Sequence, residues 1–260
     1  MPRTLTECQL IERSIHKKYR KALWTPFAGA VKRYGLVLEG DRICACVSGG
    51  AAPMLLAKLM QLLEKCSDAP FQLVCLAADP GWPPEFRRQL EANAVRLALP
   101  LQILDDPTPD GAARLGRLFH RARELGCNKI ALADCYDDVL ATALASMLYE
   151  GELRGIPPKR RSARQDGMEL IRPLYCVRRE TILAWARYNA LEFSPDEEED
   201  PGRARARQLL RELKRDNSDV EKSLFNALHA VSLDTFPGWT ARGASHSFLD
   251  DYDARAGSCF

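Results

Sequence analysis

The stretch from Arg42 to Lys65 reads RICACVSGGAAPMLLAKLMQLLEK, and its middle decides the fold. A β-prone run (Ile43, Cys44, Cys46, Val47) gives way to Ser48-Gly49-Gly50. Leu55, Leu56, Leu59, Leu62 and Leu63 then recur at helical spacing, so the glycines mark a strand-to-helix turn. Such a turn can present backbone N–H groups and a helix N-terminus to an anion, and phosphate suits it. The spacing is neither GxxxxGK[ST] nor GxGxxG.

Outward from this turn, β and α patterns alternate. Strands are expected over 42–47, 71–77, 101–104 and 129–133, with helices over 54–65, 84–98, 111–125 and 137–149. Repeated units of this length predict an α/β fold with a parallel sheet covered on both faces. Ligands on such sheets bind beyond the carboxyl ends of the strands. One crevice should therefore collect Ser48-Gly49-Gly50, the Ala77-Ala78-Asp79 turn and Asp134 to Asp138.

Before the sheet, residues 6–34 read as one amphipathic helical arm. Ile11, Ile15, Tyr19, Leu23, Phe27 and Val31 form its apolar stripe, and Lys17, Lys18, Arg20, Lys21, Lys32 and Arg33 surround it. Core or dimer packing explains the stripe, and contact with RNA is a second use for the basic face. Residues 150–168 read as a polar loop or hairpin arm, 168–175 as a strand closed by Pro173, and 179–189 as a helix. The acidic run Asp196 to Asp200, with Arg203, Arg205 and Arg207 after it, reads as solvated linker. Helices near 203–215 and 219–231 follow, and the tail HSFLDDYDARAGSCF gives no clear signal. The expected division is a helical arm over 1–38, an α/β domain over 39–192 and a helical extension over 193–260.

At 260 residues and 46% hydrophobic, the chain can bury one sizeable α/β core with a small appendage. Thirty-seven basic against 35 acidic residues leave +2, so no global field attracts nucleic acid. No run is long and apolar enough to span a membrane, and the N-terminus has no signal-peptide pattern, which implies a cytoplasmic protein. The nine cysteines are scattered without a CxxC; Cys44 and Cys46 share one face of a strand and read as core residues.

Several long stretches carry a family resemblance: IERSIHKKYRKALW, DRICACVSGG, ELGCNKIALADCYDDVLATALASMLYEGEL, GMELIRPLYCVRRETILAWARYNAL and HSFLDDYD. From about residue 10 to residue 253 the chain is similar to the tRNA 2-thiocytidine synthetase (TtcA-type) branch of the PP-loop ATP pyrophosphatases. The resemblance implies a HUP/PP-loop (adenine nucleotide alpha hydrolase-like) three-layer fold with an N-terminal helical arm and a small C-terminal helical region. It also implies ATP at an SGGxDS loop, an iron–sulfur cluster on cysteines, and thiolation of a tRNA cytidine.

Against that pattern, Ser48, Gly49 and Gly50 match, but Ala51, Ala52 and Pro53 stand where the family carries Lys, Asp and Ser. Pro107-Thr108-Pro109-Asp110 replaces the family's CxxC, and Phe193 to Glu199, the region of its further cluster cysteine, holds none. No iron–sulfur cluster is therefore expected. The family's GHHxDD becomes Ala133-Asp134-Cys135-Tyr136-Asp137-Asp138, which loses both histidines and keeps the aspartate pair. Helix capping accounts for Asp137 and Asp138, and Mg²⁺ binding with ATP is a further role for either.

The nucleotide-lining residues implied are Ser48, Gly49, Gly50, Ala51, Asp79, Ala133 and Asp138, with weak ATP binding; no catalytic or resident metal-binding residue is assigned. The reading is a catalytically degenerate paralogue that binds nucleotide or tRNA, as a homodimer or in complex with an active homologue. Two alternatives are a structural or interaction protein without nucleotide, and an active ATP-dependent tRNA sulfurtransferase.

Overall fold

Alternation along the first strand builds two apolar layers. In the computed structural model, which describes residues 5–106, 111–162, 167–193, 200–241 and 243–252, β1 spans Arg42–Cys46. Ile43, Ala45 and Val47 belong to one core cluster, while Cys44, with Cys46 against it, belongs to another. Period two sends alternate side chains to opposite faces, so both faces of the sheet are covered. The expected core role of the two cysteines holds: Cys44 is wholly buried, and a hydrogen bond with Cys46 and burial hold its thiol far above its ordinary pKa.

The other strands of this sheet are β2 (Gln72–Asp79), β3 (Leu101–Asp105), β4 (Lys129–Ala131), β5 (Lys159–Arg161) and β6 (Glu169–Ile171). Their order is β3-β2-β1-β4-β6-β5, parallel throughout except for the edge strand β5, which runs antiparallel to β6. The chain moves one way from β1 to β2 and β3, then returns to β4 on the other side of β1. That reversal creates a crevice beyond the carboxyl ends of β1 and β4, where α/β sheets take ligands. The PP-loop type of fold expected from sequence is the one observed.

The helices of the sheet region are α3 (Ala51–Cys66), α4 (Pro84–Arg96), α5 (Gly111–Glu124), α6 (Tyr136–Ala145) and α7 (Arg179–Tyr188). α3 begins at Ala51, not Met54, because Gly50 is extended (φ −76°, ψ 167°) and already serves as N-cap. Pro53 is thus the third helical residue. Its missing N–H is still one of those without an intrahelical acceptor, so the helix tolerates it. α6 ends at Ala145 and passes into a π-helical turn over Ser146–Glu150, and the strand expected over 168–175 shortens to β6.

The N-terminal segment is broken rather than continuous. α1 (Glu7–His16) ends where Lys17 leaves helical geometry, a π-helical turn follows over Arg20–Trp24, and α2 spans Thr25–Tyr34. Ile11, Ile15, Leu23, Phe27 and Val31 are buried in the same cluster as β1, so the stripe packs on the sheet's own core. A buried lysine pins α1. Lys58 of α3, 0% exposed, donates to Glu12 Oε1 at 2.7 Å, Gln61 Oε1 at 2.8 Å and the Leu97 carbonyl at 2.9 Å. Burial works to raise the Glu12 pKa, but Lys58 outweighs it and holds the carboxyl below its ordinary value.

The chain divides into a unit over Met1–Leu209, which holds the sheet, and a unit over Leu210–Phe260. α8 (Pro201–Asp216) replaces the expected start of a helix at 203 and takes in Arg203, Arg205 and Arg207; residues 196–199 of the acidic run lie outside the described residues. The second unit contains α9 (Val220–His229) and a hairpin of β7 (Gly238–Ala241) and β8 (Ala244–Ser247). The tail is therefore structured up to Tyr252, where sequence gave no signal. Its periodicity is hard to read because only Trp239, stacked on His246 at 5.4 Å, adds a large apolar surface to the hairpin.

Replacing Lys58 with alanine would leave Glu12 half-buried with only Lys65, 3.5 Å away, as countercharge. Urea unfolding of Lys58→Ala should show a loss of about 3 kcal/mol. A loss under about 1 kcal/mol would mean that this lysine does not fasten α1 to α3.

Candidate functional site

The loop after β1 is built by two glycines with different tasks. Gly49 takes φ +84°, the left-handed region that L side chains rarely adopt, and Gly50 caps α3. Gly49 is also closely covered: a Cβ there would lie 2.5 Å from Cζ of Phe86. Phe86 packs on Trp82 with ring centroids 4.6 Å apart, and both lean on the core. An aromatic pair from the start of α4 thus walls the glycine turn. Ser48 is exposed, whereas Gly49, Gly50 and Ala51 are buried.

The other expected site residues do gather at the carboxyl ends of the strands, but each carboxylate already has partners. Asp79 ends β2 and is nearly buried; its Oδ1 accepts from the amides of Gly81 (2.8 Å) and Trp82 (2.6 Å). Arg87 Nη1 lies 3.0 Å from Asp79 Oδ2 and 2.7 Å from Asp105 Oδ1. Asp79 is the clamp of its own turn. Asp134, to which sequence assigned no role, is paired with Arg172: Nε donates to Oδ2 at 2.7 Å, and Nη1 of the same arginine donates to the Pro157 carbonyl at 2.9 Å.

The aspartate pair at the start of α6 holds two helix ends. Asp138 accepts the Cys135 amide at 2.7 Å in a capping box and pairs with Arg207 of α8. Asp137 reaches across to α7, accepting the Arg179 amide at 2.7 Å. These are the capping roles expected for them, extended to a second helix. Arg207 corrects the linker reading, since its side chain is only 17% exposed and bound to Asp138.

Electrostatics follow from these contacts. Burial tends to raise the Asp138 pKa, but the hydrogen bond with Cys135 and the charge of Arg207 prevail and hold it below its ordinary value. Cys135 beside it is fully buried; burial, then Asp138 and Asp137, push its thiol well up. Cys176 also moves up through burial. Neither thiol is poised as a thiolate. Ala133 leans on the main core cluster and contributes no polar group from its side chain. Sequence reading missed Arg87, Arg172, Arg207 and Phe86. The three arginines lie 8 to 69 positions from their carboxylate partners, so spacing offered no cue.

Sequence comparison places this geometry in a family. A tRNA-cytidine(32) 2-sulfurtransferase of Anaeromyxobacter dehalogenans (strain 2CP-C) is 31% identical over 94% of this chain and 93% of its own length. The chain belongs to the tRNA-cytidine(32) 2-sulfurtransferase family. A member from Photorhabdus laumondii is 33% identical over 68% of this chain and 63% of its own length. A family model described as a PP-loop domain matches residues 109–214. Among solved structures, the U34-tRNA thiolase NcsA from Methanococcus maripaludis, described with its [4Fe-4S] cluster, superposes with a TM-score of 0.61. It covers 79% of this chain and 76% of its own at 14% identity, a likeness of fold. The positions that correspond to the family's CxxC, 107–110, lie outside the described residues, as does most of 193–199. Among the described residues no three His, Cys, Asp or Glu side chains group as metal ligands, and no helix is long and apolar enough to cross a membrane.

A carboxyl whose folded pKa is depressed stabilises the fold above its unfolded pKa, and that stability is lost as pH falls through the folded pKa. Asp138 and Glu12 both have this sign. Asp138→Asn should cost about 2 kcal/mol at neutral pH and flatten the loss of stability below about pH 4. Urea titrations at several pH values read both effects; unchanged stability and an unchanged acid limb would show that the Arg207 pair contributes nothing.

Proposed function

We propose that this chain is a tRNA-binding member of its family that does not thiolate its RNA, and that it takes ATP weakly and without help from Mg²⁺. One observation carries the reading: the first turn of α3 presents Ala51, Ala52 and Pro53 beside an otherwise intact Ser48-Gly49-Gly50 turn. Adenylation with loss of pyrophosphate needs cationic and hydroxyl contacts on the departing oxygens and a carboxylate to help hold Mg²⁺. Two methyl groups and a pyrrolidine ring supply none of these. Three carboxylates of the crevice, Asp79, Asp134 and Asp138, are bound by Arg87, Arg172 and Arg207. A metal ion at any of these three would compete with its arginine, and Asp137 is engaged by the Arg179 amide.

An iron–sulfur cluster does not fit this chain either. Cluster ligands are thiolates at set positions, and here those positions hold Pro107, Thr108, Pro109 and Asp110, with no cysteine between Phe193 and Glu199. Cys135 is buried behind the start of α6 with its thiol held protonated. What remains for ATP is the backbone of the glycine turn and the N-terminal end of α3, a weak phosphate site.

RNA binding draws on the family and on the N-terminal face. The relatives are named for action on a tRNA cytidine. Here Arg13, Lys17, Lys18, Arg20 and Lys21 are exposed around α1 and the turn that follows. Arg13, Lys17 and Lys18 line a groove of about 670 Å³ with Arg96 and Tyr188, and Lys18 Nζ lies 3.5 Å from the Tyr188 ring centroid. Clustered cations with an aromatic ring suit a phosphate backbone.

The full chain should retain an unmodified tRNA transcript in filter binding, with affinity falling steeply from about 50 to about 200 mM salt. Incubated with ATP, Mg²⁺ and a sulfide donor, it should form no 2-thiocytidine detectable by mass spectrometry of the digested RNA. ATP-dependent 2-thiocytidine would refute the loss of chemistry, and failure to retain tRNA would refute the binding role.

A further inference from the structure

The arm is not the only basic surface, and a second one leads to the crevice. At the end of α2, Lys32 and Arg33 are exposed. On the sheet edge, all three residues of β5, Lys159, Arg160 and Arg161, are exposed. The two segments are 124 residues apart in sequence, yet Lys159 Nζ donates to the Gly35 carbonyl at 3.2 Å, just past the end of α2. The fold therefore joins two basic stretches that sequence keeps separate.

Register fixes which cations share this face. Lys159 pairs with Ile171 and Arg161 with Glu169, while Arg160 pairs with Leu170. Ile171 belongs to the core cluster that includes Phe27 and Val31 of α2, whereas Leu170 packs on the other cluster. Lys159 and Arg161 thus lie on the α2 side of the sheet and Arg160 on the opposite side. One acid faces them: Glu169 sits opposite Arg161, and its Oε2 is 3.3 Å from Lys129 Nζ. Lys32, Arg33, Lys159 and Arg161 outweigh it.

This face also has a direction. Ile171 is the last residue of β6, so Lys159 stands at the crevice end of the sheet. The next residue, Arg172, donates its amide to the Pro158 carbonyl at 2.9 Å, binds the Pro157 carbonyl, and pairs with Asp134 in the crevice. The start of β5 is thereby stitched to the site. Lysine and arginine on an edge strand also guard it against pairing with another sheet. Edge protection needs no contribution from α2, however, and no link to the crevice.

We infer that Lys32, Arg33, Lys159 and Arg161 form a track for an RNA backbone that delivers a nucleotide to the crevice. The inference rests on the tRNA-binding reading above and specifies where that RNA lies. Exposed cations spaced along an edge suit successive phosphates, which position an RNA without reading its sequence.

The test uses the full chain and an unmodified tRNA transcript, with binding measured by fluorescence anisotropy across a salt series. The triple variant Lys32→Ala, Arg33→Ala, Arg161→Ala should bind about tenfold more weakly and lower the slope of log affinity against log salt by about 2. A control with the same charge change, Lys65→Ala, Arg88→Ala, Arg121→Ala on α3, α4 and α5, should bind like the unaltered chain. Acetylation footprinting of the unaltered chain gives a reading independent of the variants: bound tRNA should protect Lys32. Equal binding by the triple variant with no protection of Lys32, while the unaltered chain still binds, would overturn the track and leave the tRNA-binding reading standing. No binding by the unaltered chain would overturn both.

Discussion

Carboxylates crowded at one end of a parallel sheet must be neutralised, and the way this is done governs the rest of the site. Asp79 ends β2, Asp134 and Asp138 follow β4, and their side chains are mostly buried. Unpaired, each would carry the cost of a partly buried charge. Arg87, Arg172 and Arg207 supply the countercharge, from 8, 38 and 69 positions away. The same contacts do structural work, since Asp79 closes the turn into α4, Arg172 ties β5 to the crevice, and Arg207 docks the start of α8. These acids hold the fold together.

The glycine turn shows the same division between shape and chemistry. Its conformation is preserved because it is a folding requirement: Gly49 needs φ +84° and has a Phe86 ring against it, and Gly50 starts α3. The following three residues have no such constraint beyond helix compatibility, and Ala-Ala-Pro meets it. The geometry of this strand-turn-helix unit therefore rests on its glycines and not on the side chains at 51–53.

Periodic apolar patterns made most of the fold legible in the sequence. Ile43, Ala45 and Val47 alternate with Cys44 and Cys46, and α3 and α7 repeat at helical spacing, so the parallel sheet and its crevice followed directly. The helix caps at Asp137 and Asp138 were legible for the same local reason. What could not be read were pairings across the fold: the arginines that hold the crevice acids, the Lys58 anchor, and the meeting of α2 with β5. Charge runs looked like solvated linker because sequence shows a charge without its partner, as Arg207 illustrates. The break of the N-terminal arm at Lys17 was hidden too, since the apolar residues on both sides keep facing the same core.

As proposed above, the crevice retains the outline of a nucleotide site without a metal-dependent grip on phosphate. Calorimetric titration of the purified chain with ATP, in the presence and absence of Mg²⁺, tests it most directly. Binding should be no stronger than the millimolar range, about −4 kcal/mol, and the same with or without Mg²⁺. Micromolar binding, about −8 kcal/mol, that depends on Mg²⁺ would contradict it.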